Sequence, residues 1–173
     1  MAFTYSKLAE VTVGATAAST IEFNNIPQNY NDLLINFSSR LSSAPFGADQ
    51  EIWCELGFNG QGMHVNNTGK LLSGLGSSVN STSNYTFFYI PTSLATASTF
   101  ANTQIYIPNY AGNTQKSFSI DSVQENNVST AYVNLSSGLW TGTTAISTFT
   151  IYPRAGAFVQ HSTATLYGVK AEV

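Results

Sequence analysis

Charge is the scarcest commodity in this chain. Charged residues make up 9% of 173 residues, six Lys+Arg against nine Asp+Glu, where a typical soluble domain carries about 25%. The cations stand singly from Lys7 to Lys170. A nucleic-acid surface needs clustered cations to displace phosphate counterions, and an anionic membrane attracts polybasic segments. The expectation is no nucleic-acid partner and no membrane partner. Long apolar runs are missing too, since no window approaches the ~20 residues of a membrane span. The start, Met1-Ala-Phe-Thr-Tyr-Ser-Lys-Leu-Ala-Glu, lacks the basic-then-apolar pattern of a secretory signal, so synthesis in a cytoplasm is expected.

Cysteine occurs once, as Cys54, which excludes an intrachain disulfide. Its context alternates like a strand, with Ile52, Cys54 and Leu56 on one face, so a buried thiol is expected. Histidine occurs twice, at His64 and His161, whereas zinc motifs place two ligands within a few residues of each other. Calcium needs clustered acidic oxygens, and no D-x-D run supplies them. Nucleophile-elbow, phosphate-loop and dinucleotide motifs are all missing. Glu51 and Glu55 flank Trp53 on one strand face, but four strand positions span about 13 Å, beyond a glycosidase pair. A solvated or interface face is expected there. Asp32 and Arg40 stand some 26 Å apart by the same rise. Asp32 is expected to cap the turn after Tyr30-Asn31, and Arg40 to pair across the sheet or at an interface. The expectation is a non-enzyme with no cofactor and no metal.

What is present is neutral polarity and aromatic mass. The chain holds 21 Ser, 20 Thr and 16 Asn, with 43% apolar and 13% aromatic residues. That apolar share excludes a disordered chain, and the length suits one domain, 1–173. Six N-x-Ser/Thr sequons are close to what this composition gives by chance. The hydrophobic period is two. Ile21 and Phe23, Leu33/Ile35/Phe37, Thr103/Ile105/Ile107, Phe118/Ile120, Ala131/Val133/Leu135 and Phe149/Ile151 all alternate with polar neighbours, as half-buried strands do. Strands are predicted near 5–13, 18–24, 32–41, 50–58, 85–90, 102–108, 116–124, 129–137, 145–152 and 162–171. Turn chemistry at Asn24-Asn25, Ala44-Pro45, Asn59-Gly60, Pro108-Asn109, Asn126-Asn127 and Pro153 separates them. Residues 92–99 suit a single turn.

The fold class is therefore all-β: an antiparallel β-sandwich, jelly-roll-like, of about 8–10 short strands. Residues 59–84 break the spacing, with five glycines and little periodicity. Two readings stand, an arm that packs on a neighbouring subunit or a loop folded over its own sandwich with a short hairpin. Tyr30, Trp53, Tyr89, Tyr106, Tyr110, Tyr132, Trp140, Tyr152 and Tyr167 fall on or beside the polar alternation. Tyr and Trp are enriched in interface cores, and exposed aromatics also serve carbohydrate-binding modules. The interface candidates are Trp53, Leu71, Leu72, Leu75, Tyr110 and Trp140, each able to serve as intramolecular core instead.

The segment Ile21-Glu-Phe-Asn-Asn-Ile-Pro-Gln-Asn-Tyr-Asn-Asp-Leu-Leu-Ile-Asn-Phe-Ser-Ser-Arg resembles a recurring segment of tailed-bacteriophage virion proteins. There, an Ile-Pro-x-x-Tyr-x-Asp-Leu core precedes an alternating strand ending in Ser-x-Arg or Ser-Ser-Arg. The start, Tyr5-Ser-Lys-Leu-Ala-Glu-Val-Thr-Val, and the end, Ser162-Thr-Ala-Thr-Leu-Tyr-Gly-Val, are similar to the same family. About 40 residues at the front and ten at the end carry the resemblance. It implies a jelly-roll module of the kind found in head decoration (cement) proteins and on tail fibres. A chain that starts at its own methionine, without a fibrous stalk, is expected to be a decoration protein. The implied partners are the major capsid protein and identical copies, as a homotrimer on the capsid surface of the virion. A tail or fibre component with receptor or carbohydrate binding is the alternative.

Overall fold

Alternating segments that each have one apolar face can bury it only by stacking sheet on sheet. The computed structural model describes residues 3–42, 51–62, 67–84, 86–124 and 131–171. In chain order its strands are β1 (Phe3–Thr12), β2 (Ile21–Phe23), β3 (Asp32–Ser39), β4 (Glu51–Phe58), β5 (Gln61–Gly62), β6 (Asn67–Leu75) and β7 (Ser78–Ser83). There follow β8 (Phe88–Pro91), β9 (Ala101–Ile107), β10 (Lys116–Gln124), β11 (Tyr132–Trp140), β12 (Phe149–Pro153) and β13 (Thr163–Ala171). All strand pairs are antiparallel, and no helix occurs among the described residues. The turns expected at 44–47 and 126–127 lie outside the described residues.

The larger sheet runs β1-β13-β3-β9-β10-β11-β6-β7, and the smaller runs β2-β12-β4-β5 with β8 also on β4. The four-strand blocks β1-β13-β3-β9 and β2-β12-β4-β8 have jelly-roll order, each formed from strands that alternate between the sheets. Two insertions extend it. The chain between β4 and β8 contributes β5, β6 and β7, while the chain between β9 and β12 contributes β10 and β11. The insertions meet where β11 pairs with β6, from Tyr132↔Leu75 to Trp140↔Asn67, so β10-β11-β6-β7 forms a wing on one side of the larger sheet.

Residues 59–62 and 67–84 thus form turns and strands of the chain's own sheets, a short hairpin among them. Asn59 (φ 51°) and Gly60 (φ 75°) form a two-residue turn from β4 into β5, the Asn-Gly signature of a type I′ hairpin. Asn59 also locks this corner to the next loop. Its Nδ2 donates to Ala145 O at 2.9 Å, and its Oδ1 accepts from Ser147 N at 2.9 Å and Thr148 N at 3.2 Å. β6 and β7 then form a hairpin around Gly76-Ser77, with φ 54° at Gly76.

The core lies between the inner faces. Phe37 of β3 meets Phe88 of β8 at 6.1 Å between centroids, and Phe58 of β4 meets Phe118 of β10 and Trp140 of β11, each at 5.5 Å. Gly138 lets this packing happen, because a Cβ there would sit 2.1 Å from the Phe118 ring. Ile52, Cys54 and Leu56 are buried side by side as expected, and burial, followed by the charge of Glu55, pushes the Cys54 thiol pKa well up.

The alternation predicts the correct face for β2, β3, β9, β10 and β12, where Ile21/Phe23, Leu33/Ile35/Phe37, Ile105/Ile107, Phe118/Ile120 and Phe149/Ile151 are all buried. β11 is out of phase. Val133 and Leu135 are each 51% exposed, while Asn134 between them is fully buried. The cause is register. Gly138 and Trp140, at the other end of β11, must face Phe118 and Phe58, and a strand's period of two then fixes every even position inward.

Candidate interaction face

Three buried or half-buried polar groups first show what the sequence motifs are for. Arg40 is only 8% exposed, and no carboxylate pairs with it among the described residues. Its Nη1 donates to Thr96 O (2.7 Å), Thr99 O (3.0 Å) and Thr99 Oγ1 (3.1 Å), and its Nη2 to Ala95 O (2.9 Å). Within the chain, Arg40 clamps the 92–99 turns instead of pairing across the sheet. The five-donor guanidinium fork suits several diverging carbonyls. Burial lowers its pKa. Asp32 caps a different turn from the one expected. Its Oδ1 accepts from Asn109 N at 2.9 Å and its Oδ2 from Tyr106 Oη at 2.5 Å. Burial, with the Asp32 bond second, pushes the Tyr106 pKa up to about 12. Lys116, unnoticed in the sequence, is 1% exposed, and its Nζ donates to Gly112 O (2.6 Å), Thr144 O (2.7 Å) and Thr143 O (3.0 Å). All three ammonium donors are used, and burial lowers its pKa.

The Ile-Pro-x-x-Tyr-x-Asp-Leu segment is built into the fold in the same way. Pro27 O accepts the Tyr110 hydroxyl. Gln28 Nε2 donates to Ile26 O (2.7 Å) and Ile146 O (3.0 Å). The Tyr30 ring lies where a Cβ on Gly168 would sit, so the front motif packs on the closing strand. These residues hold the jelly roll shut.

The interface candidates separate into three groups. Tyr110 (0% exposed), Trp140 (2%) and Leu71 (4%) are core side chains. Trp53 is half-buried, as is Leu75. Leu72 alone is a large exposed apolar group, at 45%. Trp53 stands on the outer face of the smaller sheet, with the Arg154 guanidinium 4.7 Å from its centroid and Phe87 stacked at 5.5 Å. Phe87 meets Tyr89 edge-on at 5.4 Å, and Tyr89 stacks on Tyr132 at 4.1 Å. The rings of this row thus contact one another and the guanidinium in sequence. Glu55, on the Trp53 side of β4, is buried at 6%, not on a solvated face. The side chain of Glu51 and the whole of His64 lie outside the described residues. No group of three His, Cys, Asp or Glu able to hold a metal ion occurs among the described residues.

The exposed apolar groups collect elsewhere, on the outer face of the wing. Across four neighbouring strands, one row runs Val79–Gly74–Val133–Val123 and the next Ser81–Leu72–Leu135–Asp121. Directly opposed residues have Cβ atoms about 4.5–5.5 Å apart, so Val79 (74% exposed), Val133, Val123 (39%), Leu72 and Leu135 form one patch. Beside it the sheet is hollowed into a trough of about 340 Å³, lined by Lys70, Leu72, Gln104, Tyr106, Asp121 and Leu135 among others. Lys70 Nζ is held by Ser83 Oγ at 2.6 Å. Sequence reasoning missed most of this face because it assigned Val133 and Leu135 to the core. The available signal was Asn134 and Ser136 sharing a side with Gly138 and Trp140.

No protein-family model matches this chain, and no curated protein matches it.

Proposed function

We propose that this chain is a non-catalytic structural module of a tailed-bacteriophage virion, decorating the head shell with the major capsid protein as partner and identical copies, three to an assembly, beside it. The observation that carries the reading is the reversed phase of β11. A strand that buries Asn134 and presents Val133 and Leu135 to solvent works against its own folding, and exposed contiguous apolar patches mark interaction sites. With Leu72, Val79 and Val123 alongside, the patch fits an apolar partner surface better than a charged one. The phage resemblance supplies the partner class, and a repeated shell adds avidity to a modest contact.

The test is binding of the purified chain to emptied capsids, followed by their rupture temperature. The proposal expects binding and a raised rupture temperature, both lost in Leu135→Asp. Host-cell or glycan binding without capsid binding refutes the head-shell placement. Turnover of a polysaccharide refutes the non-catalytic reading. A tail or fibre position with carbohydrate binding draws on the same resemblance.

A further inference from the structure

The two edges of the larger sheet are treated in opposite ways. β1 is guarded: Lys7 and Glu10 form an exposed ion pair at 3.1 Å, and the register on β13 shifts between Lys7 and Ala9. Charges and bulges are how proteins keep an edge from pairing with another chain. β7 has neither. Its sequence, Ser-Val-Asn-Ser-Thr-Ser, carries no charge and no proline, its register on β6 is unbroken, and all six side chains are exposed. Among the described residues, β6 is the one strand it pairs with.

The ladder's phase says which groups are free. Asn84 N donates to Gly69 O at 2.7 Å. Hydrogen-bonded pairs alternate along an antiparallel ladder, so Thr82, Asn80 and Ser78 also turn their backbone groups toward β6. Val79, Ser81 and Ser83 then direct their N–H and C=O groups outward.

We infer that the β7 edge is a self-association site, pairing antiparallel with β7 of a second copy about a two-fold axis at Ser81. In that register Ser81 faces its own equivalent and Val79 faces Ser83 of the other copy. The three outward N–H and three outward C=O groups on each chain are all satisfied, as six hydrogen bonds. The partner is a second copy because the edge is self-complementary and uncharged, so no opposite charge on a foreign strand is called for. The two larger sheets become one, and the two apolar patches meet on the same face. The contact does not depend on the head-shell reading, and it leaves the rest of the surface for a three-fold contact.

The test uses the intact chain. Sedimentation should show even-numbered species growing with concentration, with the Val79, Ser81 and Ser83 amides gaining exchange protection in step. Ser81→Cys should give a disulfide-linked dimer on mild oxidation, Cys54 being buried. Val79→Cys should not, whereas Val79→Cys/Ser83→Cys should. Ser81→Pro leaves the β6 ladder intact, because proline is tolerated where an edge N–H faces outward. It should weaken association at least about 30-fold, two of the six bonds having lost their donors. Ser81→Lys sets two like charges face to face and should dissociate the pair at low salt. A monomer at roughly 1 mM, or a stable oligomer whose three amides exchange freely, overturns the inference. Efficient self-linking by Val79→Cys alone overturns the register. Capsid binding that persists in a monomeric Ser81→Pro chain separates this contact from the proposed function.

Discussion

Lys116→Met tests the claim that two loops are pinned by one buried ammonium. Methionine has nearly the same length and fills the space over Trp140, whose centroid lies 5.5 Å from Nζ. The change therefore removes the three hydrogen bonds to Gly112, Thr143 and Thr144 while keeping most of the packing. Hydrogen bonds to a charged group contribute about 1.5–3 kcal/mol each before the cost of burying the charge is subtracted. Thr143 and Thr144 are exposed and Gly112 is half-exposed, so water can reach their carbonyls once the lysine is gone. The net loss should be about 2–4 kcal/mol. For a chain of this size that lowers Tm by roughly 2–4 °C per kcal/mol. Calorimetry gives Tm, and hydrogen exchange should show 109–115 and 141–148 opening while β3 and β9 stay protected. Lys116→Arg should recover only part of the loss, because a planar fork cannot match three carbonyls arranged about a point charge. A Lys116→Met protein within about 0.5 kcal/mol of wild type, the range of ordinary surface changes, would show that the ammonium's burial cost cancels its bonds.

Four further outcomes follow from the geometry. Leu135→Asp should change unfolding free energy by no more than about 0.5 kcal/mol, its side chain being half exposed, yet weaken capsid binding about 10–100-fold, the worth of one buried leucine; equal binding refutes the patch. Asn134→Leu should stabilise the chain to urea by about 1 kcal/mol, because neither amide atom has a hydrogen-bond partner and a buried unsatisfied group is costly; a loss of that size would reveal a partner. Asn59→Ala should destabilise by roughly 1–2 kcal/mol, leaving the 145–148 backbone without its tie; an unchanged urea midpoint sinks that assignment. Tyr106 has a folded-state pKa above its unfolded value of 10.0, so its contribution is complete below pH 10 and fades as pH rises toward about 12. Tyr106→Phe should flatten the stability profile in that window.

The jelly-roll part was legible because its strands touch a core on one side and water on the other, a contrast that alternation records. Ile21/Phe23, Leu33/Ile35/Phe37 and Phe149/Ile151 place β2, β3 and β12 correctly. The wing was not legible for the complementary reason. β7 has water on both faces, and β6 has Leu71 and Leu72 as neighbours on opposite faces, so neither alternates. β11 alternates in the wrong phase, and only the cross-strand fit of Gly138 under Phe118 decides it. The roles of Arg40 and Lys116 were not legible because their acceptors are main-chain carbonyls, which sequence does not distinguish. The same blind spot hid the candidate face. Leu72 was named, but Val79, Val123, Val133 and Leu135 join it only through pairing of β11 with β6.

That pairing has a consequence for when the recognition surface exists. Leu72 and Val79 arrive on one insertion, and Val123, Val133 and Leu135 on the other, some fifty residues later in the chain. Neither insertion carries the patch alone. Long-range strand pairings tend to complete late in folding, so a nascent or half-folded copy displays at most fragments of it. The patch is thereby a certificate of completion. On the proposed head-shell reading, finished subunits would bind through it and incomplete ones would not, with no separate checkpoint required.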